Sequence, residues 1–340
     1  MANLVITDTC NLACPYCFAG QALSAKRRFI EMPDFIARLD FLQRSGVDQA
    51  RLIGGEPTLH PQFPELVRRI RQRGLIVIVF SHGLMPPKAL NCLADLPVEA
   101  CTVLVNLNAS RNPSGPDPRE QDQRLATLHR LGQRALPGFN LVSPQVELDF
   151  ILPLIQKSGC YPAIRLGLAH AMLDGGNQYL HPRQYRLVGP KIVAFARRAA
   201  RQGVRLEFDC GFVRCMFSDQ ELRELESAQV DIGWRCSPVL DIDLDGRALH
   251  CFPLAGSSQI SLEADSQAGD LRNALAQALA GYRRAGVYRE CSTCVFKQKE
   301  ACPGGCLAAT IRRFRPGTGY FEVPEDRLIQ SGLGTAEVKP

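Results

Sequence analysis

Short apolar segments alternate with amphipathic segments over the first 200 residues, and this alternation limits the possible folds more than any other feature. The apolar segments are rich in β-branched residues and apolar throughout, as expected of strands covered on both faces. Alternating strands and helices form a parallel sheet, so the pattern predicts an α/β fold, an open, partial (β/α)6 version of the TIM-like barrel. The six predicted strands are residues 3–7, 50–55, 75–81, 101–108, 138–143 and 163–170.

Helix start and stop signals support this reading. Residues 32–46 have Pro33 near their start, an apolar face and Gly46 at their end, and residues 64–74 repeat the pattern. Chemistry in such barrels collects where the strands end.

The alternation stops after a further helix and a strand that ends near residue 209. Beyond this point cysteines recur with little regular periodicity, apart from an amphipathic stretch at 271–286. We therefore predict a barrel over residues 1–209, a cysteine-rich domain over 210–314 and a tail over 315–340.

Fourteen cysteines stand in a chain whose first residues show no basic leader followed by a long apolar core. The longest apolar run, residues 75–80, is far too short to cross a bilayer. We expect a cytoplasmic protein that does not bind membranes, in which so many cysteines indicate metal ligation or redox chemistry sooner than disulfides. The net charge of +6 comes from dispersed arginines rather than a polybasic block, which disfavours a nucleic-acid partner without excluding one.

Three cysteines lie within eight positions directly after the first strand: Cys10, Cys14 and Cys17. Three thiolates from one loop can hold three irons of a [4Fe-4S] cluster and leave the fourth iron without a protein ligand. Structural zinc is the alternative, but such sites are closed by four ligands and no fourth cysteine or histidine is near in sequence. A chance group of free thiols is the other alternative.

The motif C-x3-C-x-aromatic-C, with Tyr16 as the aromatic residue, resembles the hallmark of the radical S-adenosylmethionine (radical SAM) superfamily. The resemblance covers about residues 3–209. It implies that Cys10, Cys14 and Cys17 hold the catalytic cluster and that S-adenosylmethionine chelates the open iron. Reduction then yields a 5′-deoxyadenosyl radical.

Further motifs stand at the ends of the following strands. "GGEP" at 54–57 ends the second strand, where glycines allow close backbone approach to a ligand and Glu56 would receive the methionine ammonium. "SHG" at 81–83 stands where relatives often carry Thr-Asn-Gly, so His82 departs from the pattern. A tight turn for the glycines and structural roles for the asparagines are the alternatives, and Asn140 is a weaker candidate. The resemblance implies cofactor contacts for Tyr16, Gly54, Gly55, Glu56, Pro57, Ser81, Asn106, Asn108 and Arg165.

Eight more cysteines, enough for two four-ligand sites, follow in the C-terminal part: Cys210, Cys215, Cys236, Cys251, Cys291, Cys294, Cys302 and Cys306. "CSTC" at 291–294 suits zinc as well as iron. The spacing C-x9-G-x4-C followed by C-x2-C-x7-C-x3-C resembles the SPASM extension of radical SAM enzymes. The chain departs from that extension in its middle gap, seven residues against the usual five, and in having no cysteine after Cys306.

The SPASM resemblance implies two auxiliary [4Fe-4S] clusters. The first would use Cys236, Cys251, Cys306 and either Cys210 or Cys215. The second would use Cys291, Cys294 and Cys302, with the other upstream cysteine as fourth ligand or with an open iron. An unligated Cys215 would be a candidate hydrogen donor to a substrate radical.

The remaining cysteines and the histidines carry weaker signals. Cys92, Cys101 and Cys160 fit packing roles, because a free cysteine behaves as a small buried hydrophobe. The six histidines show no ligand spacing, although His170 ends the sixth strand and could face the barrel mouth.

The resemblance implies an oxidoreductase-type radical SAM maturase of a ribosomally made peptide or protein side chain, giving a cross-link, an oxidation or an epimer. A flavodoxin or ferredoxin would supply electrons. Because the first strand begins at residue 3, we expect any leader peptide to need a separate binding protein. A small-molecule or RNA substrate, or a non-catalytic electron-transfer protein, are the alternatives.

Overall fold

Seven parallel strands form the centre of the computed structural model, which describes residues 1–19, 27–173, 176–230 and 232–314. Each strand pairs with the next one along the chain. The expected open, partial barrel is confirmed, and residues 205–208 add a seventh strand because they pair with the sixth. The strands are β1 Asn3–Thr7, β2 Gln49–Gly54, β3 Ile76–Ser81, β4 Cys101–Asn106, β5 Ala135–Leu141, β6 Ala163–Leu168 and β7 Arg205–Phe208.

Six helices connect these strands and cover the sheet. The first turns of several begin with proline, whose missing N–H would have no helical partner there. The apolar stripe of the first helix, which includes Phe35, Leu39 and Leu42, is fully buried. The helices are α1 Met32–Arg44, α2 Phe63–Gln72, α3 Pro87–Ala94, α4 Pro118–Leu131, α5 Ile151–Ser158 and α6 Tyr185–Arg201.

The C-terminal part extends the same sheet. Strand β8, Asp241–Ile242, pairs in parallel with β1, and it is followed by β9, Arg247–Leu249, and β10, Gln259–Ser261, in antiparallel order. The strand order is β10-β9-β8-β1-β2-β3-β4-β5-β6-β7, so the sheet continues across the predicted boundary near residue 209.

Five further helices lie in this part of the described chain: α7 Asp219–Ser227, α8 Ala268–Ala278, α9 Ala280–Ala285, α10 Val295–Gln298 and α11 Leu307–Arg313. The amphipathic stretch at 271–286 thus forms two helices that meet at Leu279. The predicted tail, residues 315–340, lies outside the described residues. No described helix has the length and apolar character needed to span a membrane.

The three cysteines assigned to packing lie in or against the core. Cys101 and Cys160 are buried, and Cys92 packs against the core from a half-buried position. Burial raises the pKa of the Cys101 thiol to about 12, so this group stays an uncharged apolar side chain.

Asp241 fastens the C-terminal hairpin to the first strand. Its carboxylate accepts hydrogen bonds from the side-chain amide of Asn3 at 2.6 Å and from the backbone N–H of Phe252 at 2.7 Å. Burial raises the pKa of this carboxyl to about 6.

We expect Asp241→Ala to lower the free energy of unfolding by about 2–4 kcal/mol, because two buried donors lose their acceptor at about 1–3 kcal/mol each. Urea unfolding under anaerobic conditions measures the change. Asp265→Ala, at an exposed position, is the control and should stay within about 0.5 kcal/mol of the parent. Equal effects of the two substitutions would contradict this role.

Candidate active site

The predicted site residues gather at the carboxyl edge of the sheet. The three-cysteine loop follows β1, "GGEP" follows β2, "SHG" ends β3 and Asn106 ends β4. Neighbouring parallel strands bring these ends to one edge, as the sequence predicts.

Cys10, Cys14 and Cys17, the N-terminal cysteine group, come from one turn of chain. The N–H of Cys17 donates to the carbonyl of Cys14 at 3.1 Å, and the N–H of Leu12 donates to the Cys10 sulfur at 3.4 Å. Electrostatic interaction connects each of the three thiols to the other two. Burial is the main cause that raises the pKa of all three. Three converging thiols with a backbone donor aimed at sulfur fit an iron–sulfur cluster.

The two glycines of "GGEP" hold this loop in place. A Cβ atom on Gly54 would lie 2.1 Å from the carbonyl oxygen of Thr7, and one on Gly55 would lie 2.2 Å from that of Thr9. Gly54 also has a φ of 151°, which side chains disfavour. Backbone bonds from Gly55 to Thr7 and from Glu56 to Thr9 complete the contact at 2.9 and 2.8 Å. The backbone that the glycines approach is therefore that of the cysteine loop.

Glu56 is fully buried and held by protein donors. Its carboxylate accepts from the N–H and hydroxyl of Thr58, from the hydroxyl of Ser81 at 3.1 Å and from the N–H of His82 at 3.0 Å. It also acts electrostatically on Cys10. These bonds tie the end of β2 to the end of β3, with Pro57 buried in the turn between Glu56 and Thr58. A contact between Glu56 and the methionine ammonium remains a prediction.

His82 links the cysteine loop to Glu56. Its Nε2 atom lies 2.8 Å from the side-chain oxygen of Asn11 and 3.2 Å from Glu56 Oε2. Burial lowers the pKa of this imidazole, although Glu56 opposes the shift. The sequence shows His82 only as a departure from the family motif, whereas the structure shows that it joins two loops.

Arg124 is a site residue that no sequence motif identifies. Its side chain is 2% exposed, its Nε donates to the carbonyl of His82, and its Nη1 pairs with Glu120 at 3.0 Å. Nη2 has no hydrogen-bond partner among the described residues, and the charge acts on Cys14. A basic residue on an amphipathic helix is too common a feature to reveal this position.

The remaining residues predicted to contact the cofactor bond to other protein groups: Asn106, Asn108 and Arg165. Asn106 donates to the hydroxyl of Tyr16 at 2.6 Å, behind the cysteine loop. Asn108 is fully buried and bonds to the backbone of Pro113 and of Asn140, which fastens the end of β4 to β5. In this structure Asn108 therefore has a structural role, which is the alternative to a cofactor contact. Arg165 pairs with Asp209 at 2.7 Å.

The eight later cysteines separate into two groups of four. The thiol of Cys251 interacts electrostatically with those of Cys306, Cys236 and Cys210, and that of Cys215 with Cys291, Cys302 and Cys294. The first cysteine group is Cys210, Cys236, Cys251 and Cys306. The second cysteine group is Cys215, Cys291, Cys294 and Cys302.

Each group has further neighbours that suit buried sulfur. His170 Nε2 lies 3.8 Å from the Cys210 sulfur in the first group. In the second, the backbone of Arg214 opposes the rise that burial causes in the pKa of the Cys302 thiol. Among the described residues no three His, Cys, Asp or Glu side chains come close enough to hold one metal ion. That finding concerns single-ion sites such as structural zinc, whereas a cubane places four irons between its ligands.

The sequence model of the radical SAM superfamily matches residues 4–142. We call residues 4–142 the radical SAM segment because they resemble that superfamily. The radical SAM segment contains the N-terminal cysteine group, "GGEP", "SHG", Asn106 and Arg124.

Curated relatives match only parts of the chain. A PqqA peptide cyclase of Xanthomonas oryzae is 38% identical over 81 residues, which are 24% of this chain and 22% of that protein. A PqqA peptide cyclase of Ruegeria pomeroyi is 35% identical over 180 residues, 50% of this chain and 46% of that protein. The matches thus span less than half of these relatives' own lengths.

Solved structures resemble almost the whole described fold. SuiB of Streptococcus suis, bound to precursor peptide SuiA, matches with a TM-score of 0.63 at 14% identity over 94% of this chain and 74% of SuiB. The structure of anSMEcpe with bound AdoMet matches with a TM-score of 0.62 at 14% identity over 98% and 94%. At this identity the likeness shows the fold, the partial TIM-like barrel of radical SAM enzymes.

We expect Gly55→Ala to reduce anaerobic iron incorporation at the N-terminal cysteine group, because the added methyl group would displace the Thr9 carbonyl next to Cys10. The overpacking should also lower the free energy of unfolding by about 1–3 kcal/mol. Iron content and urea unfolding measure the two effects. Gly269→Ala is the control, since a Cβ atom there meets nothing within 4 Å. Full iron incorporation in Gly55→Ala would show that the loop does not depend on this contact.

Proposed function

We propose that the protein is a radical SAM enzyme that modifies a ribosomally made peptide or a protein side chain. One observation carries the proposal: Cys10, Cys14 and Cys17 converge at the carboxyl end of β1, inside the radical SAM segment. Three thiols leave one iron of a cubane free for a cofactor.

Cys10, Cys14 and Cys17 would hold a [4Fe-4S] cluster, which would supply the electron for reductive cleavage of S-adenosylmethionine. The protein residues position these groups. Gly54 and Gly55 fix the cysteine loop, and Glu56 and His82 join it to the end of β3. The buried guanidinium of Arg124 suits the cofactor's carboxylate, because its charge acts on Cys14 and its Nη2 has no hydrogen-bond partner in the described part of the chain.

Relatives and neighbours support a peptide substrate. Proteins named PqqA peptide cyclase are similar in sequence to part of this chain, and SuiB, which was solved with a precursor peptide, shares the fold. The substrate hydrogen would be abstracted at the carboxyl edge of the sheet, where the cysteine loop lies.

We further propose that residues 210–314 form a SPASM-type domain with two auxiliary [4Fe-4S] clusters, one in each later cysteine group. The two groups of four thiols support this assignment. These clusters would accept the electron from the substrate radical, while a flavodoxin or ferredoxin reduces the catalytic site. A separate leader-binding protein belongs to the same proposal.

We expect reconstituted, dithionite-reduced protein to release 5′-deoxyadenosine from S-adenosylmethionine, and Cys14→Ala to abolish the release because one iron loses its thiolate. Chromatography of the quenched reaction measures the product. Cys92→Ala is the control, because Cys92 packs against the core away from the three groups. Equal release by the parent and Cys14→Ala would refute the enzymatic proposal. Mass spectrometry of a short peptide encoded beside this gene, incubated with the enzyme, tests the substrate class.

We expect His170→Leu to lower the reduction potential of the auxiliary cluster in the first cysteine group. Hydrogen bonds to cluster sulfur help to set the potential, and a donor to sulfur stabilises the reduced, more negative state. A redox titration followed by electron paramagnetic resonance (EPR) measures the shift. His129→Leu, at an exposed position on α4, should leave the potential unchanged. An unchanged potential in His170→Leu would refute the role of this contact.

A further inference from the structure

The second cysteine group combines residues from two distant parts of the chain. Cys291, Cys294 and Cys302 come from the C-terminal part, whereas Cys215 lies on the short turn Arg214–Met216 that follows β7. A single cavity is lined by all four of these cysteines and by no cysteine of the other groups. The four thiols therefore face one space.

Packing between the two segments holds Cys215 at this cavity. The Arg214 guanidinium lies over the ring of Phe296, 4.5 Å from its centroid, and the Arg214 backbone opposes the rise in the pKa of the Cys302 thiol. Val213 packs against Gly305, where an added Cβ atom would lie 3.1 Å from Val213 Cγ1. The two residues before Cys215 thus contact the C-terminal part that carries Cys294 and Cys302.

A glycine also fixes the other wall of the cavity. A Cβ atom on Gly286 would lie 2.8 Å from the Cys291 sulfur and 2.5 Å from its Cβ, and Gly286 has a φ of 71°. The thiol of Cys215 interacts electrostatically with Cys291, Cys302 and Cys294, in that order. The contact of Gly286 thus holds Cys291 at the cavity that Cys215 also lines.

We infer that Cys215 supplies the fourth thiolate of the second auxiliary cluster, beside Cys291, Cys294 and Cys302. Both auxiliary clusters are then fully ligated by cysteine, and the N-terminal cysteine group holds the one open iron. The second cluster relays electrons and does not bind substrate, and Cys215 is not a free hydrogen donor. This inference rests on the proposed function only in assigning clusters to the two later groups.

A variant without the catalytic cluster isolates the two auxiliary sites. Replacing Cys10, Cys14 and Cys17 by alanine should leave about eight irons per reconstituted chain, four for each cubane. Adding Cys215→Ser should reduce this number or change the EPR signal of one cluster while the other signal persists. Adding Cys210→Ser should change the other signal, and adding Cys92→Ser should change neither.

The iron content and the EPR signals of these variants distinguish a ligand role of Cys215 from its absence. About eight irons with both EPR signals and potentials unchanged in Cys215→Ser would overturn the inference, as would zinc in the second group. Because this background lacks the catalytic cluster, the result does not depend on whether the enzyme cleaves S-adenosylmethionine.

A second measurement avoids dependence on how the Cys215 variant folds. Mössbauer spectra of the background protein, enriched in the Mössbauer-active iron isotope, should show no unique iron site and no change on addition of cyanide. A unique iron, or a spectrum that cyanide changes, would reveal an open second cluster and overturn the inference.

Discussion

The close backbone contact between the end of β2 and the chain after β1 supports the rest of the site. Gly54 and Gly55 approach the carbonyl oxygens of Thr7 and Thr9 so closely that no side chain fits between them. The cysteine loop leaves β1 along this path, and Glu56 then turns towards β3. The absence of a side chain at Gly54 and Gly55 thus allows the cysteine loop to lie at the carboxyl edge of the sheet.

The C-terminal part combines structural continuity with chemical separation. Its hairpin joins the sheet beside β1 through Asp241, so barrel and cysteine-rich part share one sheet. The buried side chain of Tyr185 interacts with Cys306 and Cys210 of the first group and with Cys215 of the second. This fully buried side chain is therefore within electrostatic range of both groups.

Sequence patterns predicted the secondary structure well wherever it depends on a single segment. All six expected strands occur, with ends that differ by at most three residues, because apolar runs flanked by glycine and proline specify strands locally. The glycines of "GGEP" lie against the neighbouring backbone, a contact between two segments that no local pattern reveals, and their approach to a ligand stays a prediction. The bonds of Asn108 and the position of Arg124 depend on neighbours in β5 and α4, so no local pattern could reveal them.

The sequence by itself determined the parallel barrel, the three-thiol loop after the first strand and the count of eight later cysteines, because each depends on spacing within short segments. It left open whether Cys210 or Cys215 joins Cys236, Cys251 and Cys306. Only the tertiary structure separated the two, since residues five positions apart can face different cavities when the intervening turn packs on another segment. Val213 and Arg214, directly before Cys215, contact Gly305 and Phe296 of the C-terminal part.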